Sequence, residues 1–93
     1  MSTAAETIRN LVGAQRYPKK GWEAFAYYLE DHPGSLSKPF PQLDIMQLWH
    51  NIEHDTLDGD WLRSFSQRAD VISAADDFAL TVRQQDGDRY ADA

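Results

Sequence analysis

Residues 60–85 read DWLRSFSQRADVISAADDFALTVRQQ, and they decide the fold class because they can be interpreted as helix alone or as helix followed by strand. Their apolar residues form two stripes with helical spacing. If these residues formed one straight helix, the two stripes would lie about 100° apart around its axis. An apolar stripe usually drifts by only about 20° per heptad around a helix. The first stripe is Trp61, Leu62, Phe65, Ala69 and Ile72, and the second is Ala75, Phe78, Ala79 and Val82. We therefore predict a helix break near residues 71–73, with Ser73 capping the last helix and Asp76 at its third position.

The alternative for this stretch is a C-terminal hairpin. The apolar residues of 78–82 also alternate, which is typical of a strand, and residues 85–88 could supply the turn of a hairpin over 78–91. Nothing else in the chain offers a partner sheet, so we prefer the helix. Residues 86–93 are expected to form a frayed C-terminal tail.

The remaining elements also have helical signals. Thr3 and Glu6 have the spacing of a capping box, in which each side chain satisfies a free backbone N–H of the first turn. Gly13 and Pro18 end the first helix. These signals predict a first helix over residues 3–15, and the spacing of apolar residues predicts two more over 20–31 and 42–54. Together these patterns predict an all-α fold, a compact bundle of four or five short helices forming a single domain over 1–93.

The core is predicted from the apolar stripe of each helix. Successive residues of a helix are about 100° apart around its axis, so apolar residues three or four positions apart lie on one side, which can face the other helices. Hydrophobic residues make up 42% of the chain, which is enough for a compact fold. The predicted core residues are Ile8, Leu11, Trp22, Phe25, Leu29, Ile45, Leu48, Trp49, Ile52, Trp61, Leu62, Phe65, Ile72, Phe78 and Val82.

Composition excludes several classes of protein. The chain has no cysteine, so it has no disulfide framework, thiolate nucleophile or cysteine-ligated metal. The first ten residues lack the basic and apolar regions of a signal peptide, and no apolar run approaches the roughly 20 residues that span a bilayer. These features predict a cytoplasmic protein. The preference for Asp and Arg over Glu and Lys hints at a bacterial or phage genome.

Charge is unevenly distributed along the chain. The net charge is −6, but residues 1–40 sum to +1 and residues 41–93 to −7. An acidic chain is repelled by nucleic-acid phosphates and by anionic lipids, so we expect neither direct nucleic-acid binding nor membrane binding. The acidic half favours a protein partner, and a basic one in particular.

A pair of histidines is the one motif with metal-binding spacing. His50 and His54 lie one turn apart on the third predicted helix, on the side opposite its apolar stripe. Two imidazoles at this spacing can ligate zinc, copper or nickel, or contribute to a haem site. The order His-x-x-Glu-His also occurs in inverted zinc peptidases, but those enzymes need a third distant ligand and a substrate chamber that 93 residues cannot build. We find no catalytic constellation and expect neither an enzyme nor a bound cofactor.

Exposed apolar and acidic side chains are the candidate partner-binding residues. Leu43 and Met46 lie opposite the apolar stripe of the third helix. Only one of the adjacent residues Tyr27 and Tyr28 can face the core, and we expect Tyr27 to be exposed. The candidate partner-binding set is Tyr27, Met46, His50, His54, Asp55, Asp58, Asp60, Asp76 and Asp77.

These features predict a small acidic helical protein-protein interaction module. It would act as an inhibitor, adaptor or accessory subunit by binding a basic macromolecular partner, and a homodimer is possible. One alternative is a DNA mimic that inhibits a nucleic-acid-binding protein. The other is a metal- or haem-binding protein that uses His50 and His54.

Overall fold

A computed structural model describes residues 3–31 and 40–84 of the chain. Within these ranges the chain forms five α-helices and no strand, which confirms the predicted all-α bundle. The helices are α1 (Ala4–Arg9), α2 (Pro18–Asp31), α3 (Gln42–Glu53), α4 (Asp60–Ser66) and α5 (Ala69–Gln84). The hairpin alternative is wrong over 78–84, which are helical; the predicted turn and the frayed tail lie outside the described residues.

Helix α1 begins as predicted but ends earlier than residue 15. The Thr3 hydroxyl oxygen accepts a hydrogen bond from the Glu6 backbone N–H at 3.2 Å, which caps the first turn. The helix ends at Arg9, and the chain then runs through turns to residue 16. Gly13 has a φ of 83°, which a residue with a side chain rarely adopts, and it lets the chain reverse toward α2.

The break between the last two helices lies at residues 67–68 rather than at 71–73. Helix α5 is continuous through Ser73, which is exposed in mid-helix and caps nothing. The apolar stripe of α5 runs through Val71, and the adjacent Ile72 is only half-buried. The buried residues of α5 form one helical stripe of Val71, Ala74, Ala75, Phe78, Ala79 and Val82. The prediction placed Ile72 in the core, and that choice made the two stripes look discontinuous.

The core lies where the five helices meet. Helix α1 packs chiefly on α5, and α3 packs chiefly on α2. Twelve of the predicted core residues are buried. Trp49 and Trp61 are half-buried and pack against the core, and Ile72 is half-buried. Tyr28 is buried among the core side chains, which leaves the neighbouring Tyr27 exposed as predicted.

The packing of α2 against α1 depends on Gly21. A Cβ at this position would lie 2.7 Å from Ile8 Cγ2 and 2.9 Å from Ala14 Cβ, closer than carbon atoms approach. The absence of a side chain therefore lets α2 approach both α1 and the turn that follows it. None of the helices in the described ranges is both long and apolar enough to cross a lipid bilayer.

Candidate interaction surface

The outward sides of α2 and α3 form an exposed apolar surface. Leu43 and Met46 are 76% and 57% exposed, and Tyr27 on the neighbouring helix is 53% exposed. Leu43, Met46 and His50 have the i, i+3, i+7 spacing that places side chains on one side of a helix. We call the surface formed by Tyr27, Leu43, Met46, Trp49 and His50 the α2–α3 face.

Trp49 joins the two helices at the middle of this face. Its indole ring forms a T-shaped pair with the Tyr27 ring, at a centroid distance of 4.9 Å and an interplanar angle of 72°. Its Nε1–H donates a hydrogen bond to Glu30 Oε1 at 2.7 Å. Helical periodicity predicted Trp49 in the core because it lies about 40° from Ile45 around the helix axis. Trp49 also lies only about 60° from the exposed Met46, so it is at the boundary between the buried and exposed sides of α3. The sequence interpretation missed Trp49 as a member of this face and Glu30 as the residue that accepts its hydrogen bond.

Carboxylates border the α2–α3 face. Asp31 and Glu53 are exposed, and neither forms an ion pair within residues 3–31 and 40–84. The only lysines or arginines of α2 and α3 are Lys19 and Lys20 at the start of α2. Lys19 Nζ lies 3.6 Å from Asp55 Oδ1 at the opposite end of α3 from Leu43. Within the described helices the border of the face is therefore acidic, because the charged residues one turn from Tyr27 and Trp49 are all carboxylates.

His50 and His54 lie side by side at the C-terminal end of α3. Their ring centroids are 4.3 Å apart, and the ring planes are inclined by 42°. Both residues are exposed. Across the described ranges no protein group forms a hydrogen bond or ion pair with either imidazole.

The turn after α3 positions Asp55. The Thr56 N–H donates to the Asn51 carbonyl at 3.0 Å, and the Asp55 N–H donates to the Ile52 carbonyl at 3.4 Å. These two bonds form a Schellman motif, with Asp55 in the left-handed conformation at a φ of 56°. The buried Asn51 side chain accepts a hydrogen bond from the Thr56 hydroxyl at 2.6 Å, which fixes the turn further.

Asp58 and Asp60 follow this turn and are both exposed. Asp60 Oδ1 lies 3.2 Å from Arg63 Nη1, in an ion pair whose two side chains are largely in water. The Asp58 carbonyl oxygen accepts a second hydrogen bond from Arg63 at 3.0 Å. Arg63 therefore offsets part of the negative charge of this connection.

Asp76 and Asp77 are exposed on α5. Asp76 borders a shallow groove between α5 and α1, together with Thr7, Asn10 and Arg83. Because α3 packs chiefly on α2 and α5 chiefly on α1, the predicted partner-binding residues are distributed over more than one surface. Of these residues, Tyr27 lies on the helix that packs against α3, Met46 and His50 share one side of α3, and His54 and Asp55 directly follow its last residue.

The described residues contain no group of three or more histidine, cysteine, aspartate or glutamate side chains placed to hold a metal ion. Comparison with known proteins adds no assignment. No family model matches the chain, and no curated protein or solved structure is significantly similar to it.

Proposed function

We propose that this chain is a protein-binding module that uses the α2–α3 face to bind a basic, amphipathic segment of a partner protein. The observation that carries the proposal is the exposure of Leu43, Met46 and Tyr27 on one surface whose border is acidic. Apolar side chains clustered in this way mark binding surfaces more often than scattered ones do.

The composition of the face fits the centre of a protein interface. Aromatic residues and methionine are enriched in interface cores, and a polar or charged border surrounds them. Tyr27 and Trp49 are held against each other, so they lose little side-chain freedom when a partner covers them. Such rigid aromatic side chains are typical of the residues that contribute most binding energy.

The charge of the border selects the class of partner. Asp31 and Glu53 lack neutralising partners in the described part of the chain, so Lys or Arg side chains of a bound segment would pair with them. Complementary charge raises the association rate and makes binding salt-dependent. An inhibitor, an adaptor and an accessory subunit would each use this surface in the same way. Measuring how binding changes the activity of the partner distinguishes the three roles.

The test is an affinity pulldown with matched surface variants at about 100 mM and about 500 mM salt. The double variant L43Q/M46Q removes apolar area from the face, and Glu53→Lys reverses the charge at its border. The controls lie at exposed positions of α5: Leu80→Gln replaces one apolar side chain by glutamine, and Asp77→Lys makes the same kind of charge reversal.

We expect wild type and both controls to capture the same basic protein at the lower salt concentration. Both face variants should weaken its binding by at least about tenfold. Equal capture of that protein by the face variants and the α5 controls would show that the α2–α3 face is not the binding surface.

A further inference from the structure

We propose that His50 and His54 form a binding site for one divalent late transition-metal ion, with Cu²⁺ bound most tightly. The site shares His50 with the α2–α3 face, but metal binding uses only the imidazoles of His50 and His54 and requires no protein partner. Neither proposal depends on the other.

The spacing of the two rings supports a shared metal ion. Residues i and i+4 of a helix lie one above the other, with Cβ atoms about 5–6 Å apart. When both ring nitrogens are about 2.0 Å from one metal, the ring centroids are about 4.4 Å apart in a 90° arrangement and about 5.1 Å apart in a tetrahedral one. The observed distance of 4.3 Å is close to the 90° arrangement.

The surroundings of the pair also favour a cation. Both imidazoles are exposed and make no hydrogen bond or ion pair with the described residues, so a metal displaces only water from their nitrogens. The neighbouring Glu53 carboxylate is exposed and forms no ion pair with the described residues, whereas Asp55 is paired with Lys19; the whole chain carries a net charge of −6. An incoming dication is therefore attracted to this end of α3.

The number and type of ligands select the metal. Two imidazole ligands in adjacent positions around one ion, with water in the remaining positions, suit the tetragonal geometry of Cu²⁺ or Ni²⁺. A structural zinc site would need four protein ligands, and no group of three candidate ligands occurs among the described residues. Affinity should therefore follow the order Cu²⁺, then Ni²⁺, then Zn²⁺, with one ion per chain.

The experiment is calorimetric titration of the tag-free full-length chain with each metal chloride. The variants His50→Gln and His54→Gln remove one ligand each, H50Q/H54Q removes both, and Glu53→Gln leaves both ligands in place. The variant M46H/H54Q restores the i, i+4 spacing one turn earlier on the same side of α3. The third histidine, His32, is present in every variant, so any metal binding by that single imidazole is the same in all of them.

We expect one Cu²⁺ per wild-type chain and at least about a tenfold loss of affinity in each single-histidine variant. Glu53→Gln should bind within about threefold of wild type, and M46H/H54Q should recover most of the lost affinity. Because the metal binds the folded helix, Cu²⁺ should also raise the Tm of wild type more than that of His54→Gln.

Two results would overturn the proposal. One is Cu²⁺ binding of unchanged affinity when both histidines are replaced by glutamine, because the ion would then lie elsewhere. The other is M46H/H54Q binding no better than His54→Gln, because helical spacing would then have no part in the affinity.

Discussion

Trp49 on α3 and Glu30 on α2 are joined by a hydrogen bond of 2.7 Å from the indole Nε1–H to a carboxylate oxygen. The bond orients a half-buried aromatic ring at the junction of two helices, where Tyr27 contacts it from the side. The two aromatic rings of the proposed interaction surface are therefore held in place without a partner. Such preorganisation lowers the entropy lost on binding.

Replacing Glu30 tests this relationship. Glu30→Ala removes the acceptor and should lower the free energy of unfolding by about 0.5–1.5 kcal/mol. Glu30→Gln keeps an acceptor oxygen and should stay closer to wild type. Chemical denaturation measures both, and the NMR signal of the Trp49 indole N–H should shift more in the alanine variant. Alanine and glutamine variants of equal stability would show that the bond contributes nothing to the fold.

A second prediction concerns the link between α1 and α4. The Ser66 hydroxyl oxygen is buried and accepts a hydrogen bond from the Ala5 backbone N–H at 2.8 Å. Ser66→Ala leaves this donor of the first helical turn without its acceptor, at a cost of about 1–3 kcal/mol in the free energy of unfolding. Ser64→Ala, at an exposed position of the same helix, is the control. Matching denaturation midpoints for the two variants would contradict the assigned role of Ser66.

Most of the helices could be predicted from local patterns in the sequence. The observed α3 ends within one residue of its predicted end, because its stripe of Ile45, Leu48 and Ile52 is unambiguous. The helix break was misplaced because Val71 and Ile72 are adjacent and both apolar, and only packing against other helices decides which one is buried. Helix α1 ends at Arg9, four residues before the Gly13 that was predicted to end it.

The interaction surface could be predicted only in part. Exposure of Tyr27, Leu43 and Met46 follows from helical periodicity within a single helix. The position of Trp49 depends on Glu30 and Tyr27, which lie about 20 residues earlier and approach it only once α2 and α3 have packed. Single-helix periodicity contains no information about that pairing.

The left-handed residue at the end of α3 gives a stabilising prediction. Asp55 occupies the position of a Schellman motif where glycine is favoured, since its φ is 56°. Asp55→Gly should raise the free energy of unfolding by about 0.5–1 kcal/mol. The lost ion pair with Lys19 is exposed and offsets little of this gain.

The control for this variant is Asp58→Gly, because Asp58 does not have a positive φ. Glycine there only increases the freedom of the unfolded chain and should lower stability slightly. Thermal denaturation compares the two variants with wild type. If Asp55→Gly melts at or below the temperature of Asp58→Gly, strain at Asp55 is not relieved by glycine.

Arg68 makes the stability of the fold depend on pH. Its guanidinium lies 2.9 Å from Asp44 at the start of α3 and donates two hydrogen bonds to Asp70, at 3.1 and 2.6 Å. These bonds hold the pKa of Asp70 below its ordinary value of 3.8. As the pH falls, the Asp70 carboxyl therefore binds a proton at a higher pH in the unfolded chain than in the folded chain. The ionised Asp70 contributes its full stabilisation above pH 3.8, and this stabilisation is lost as the pH falls through the lowered pKa of the folded state.

Asp70→Asn removes this titration. The free energy of unfolding of wild type should therefore fall more steeply below about pH 4 than that of Asp70→Asn, with the two curves converging in acid. Asp77→Asn, which removes an exposed carboxylate without an ion pair in the described part of α5, should keep the wild-type slope. Because the Asp70 side chain is half-exposed, added salt should reduce the difference between the curves. Urea denaturation at successive pH values measures all three curves, and parallel curves for wild type and Asp70→Asn would show that Arg68 and Asp70 do not couple folding to pH.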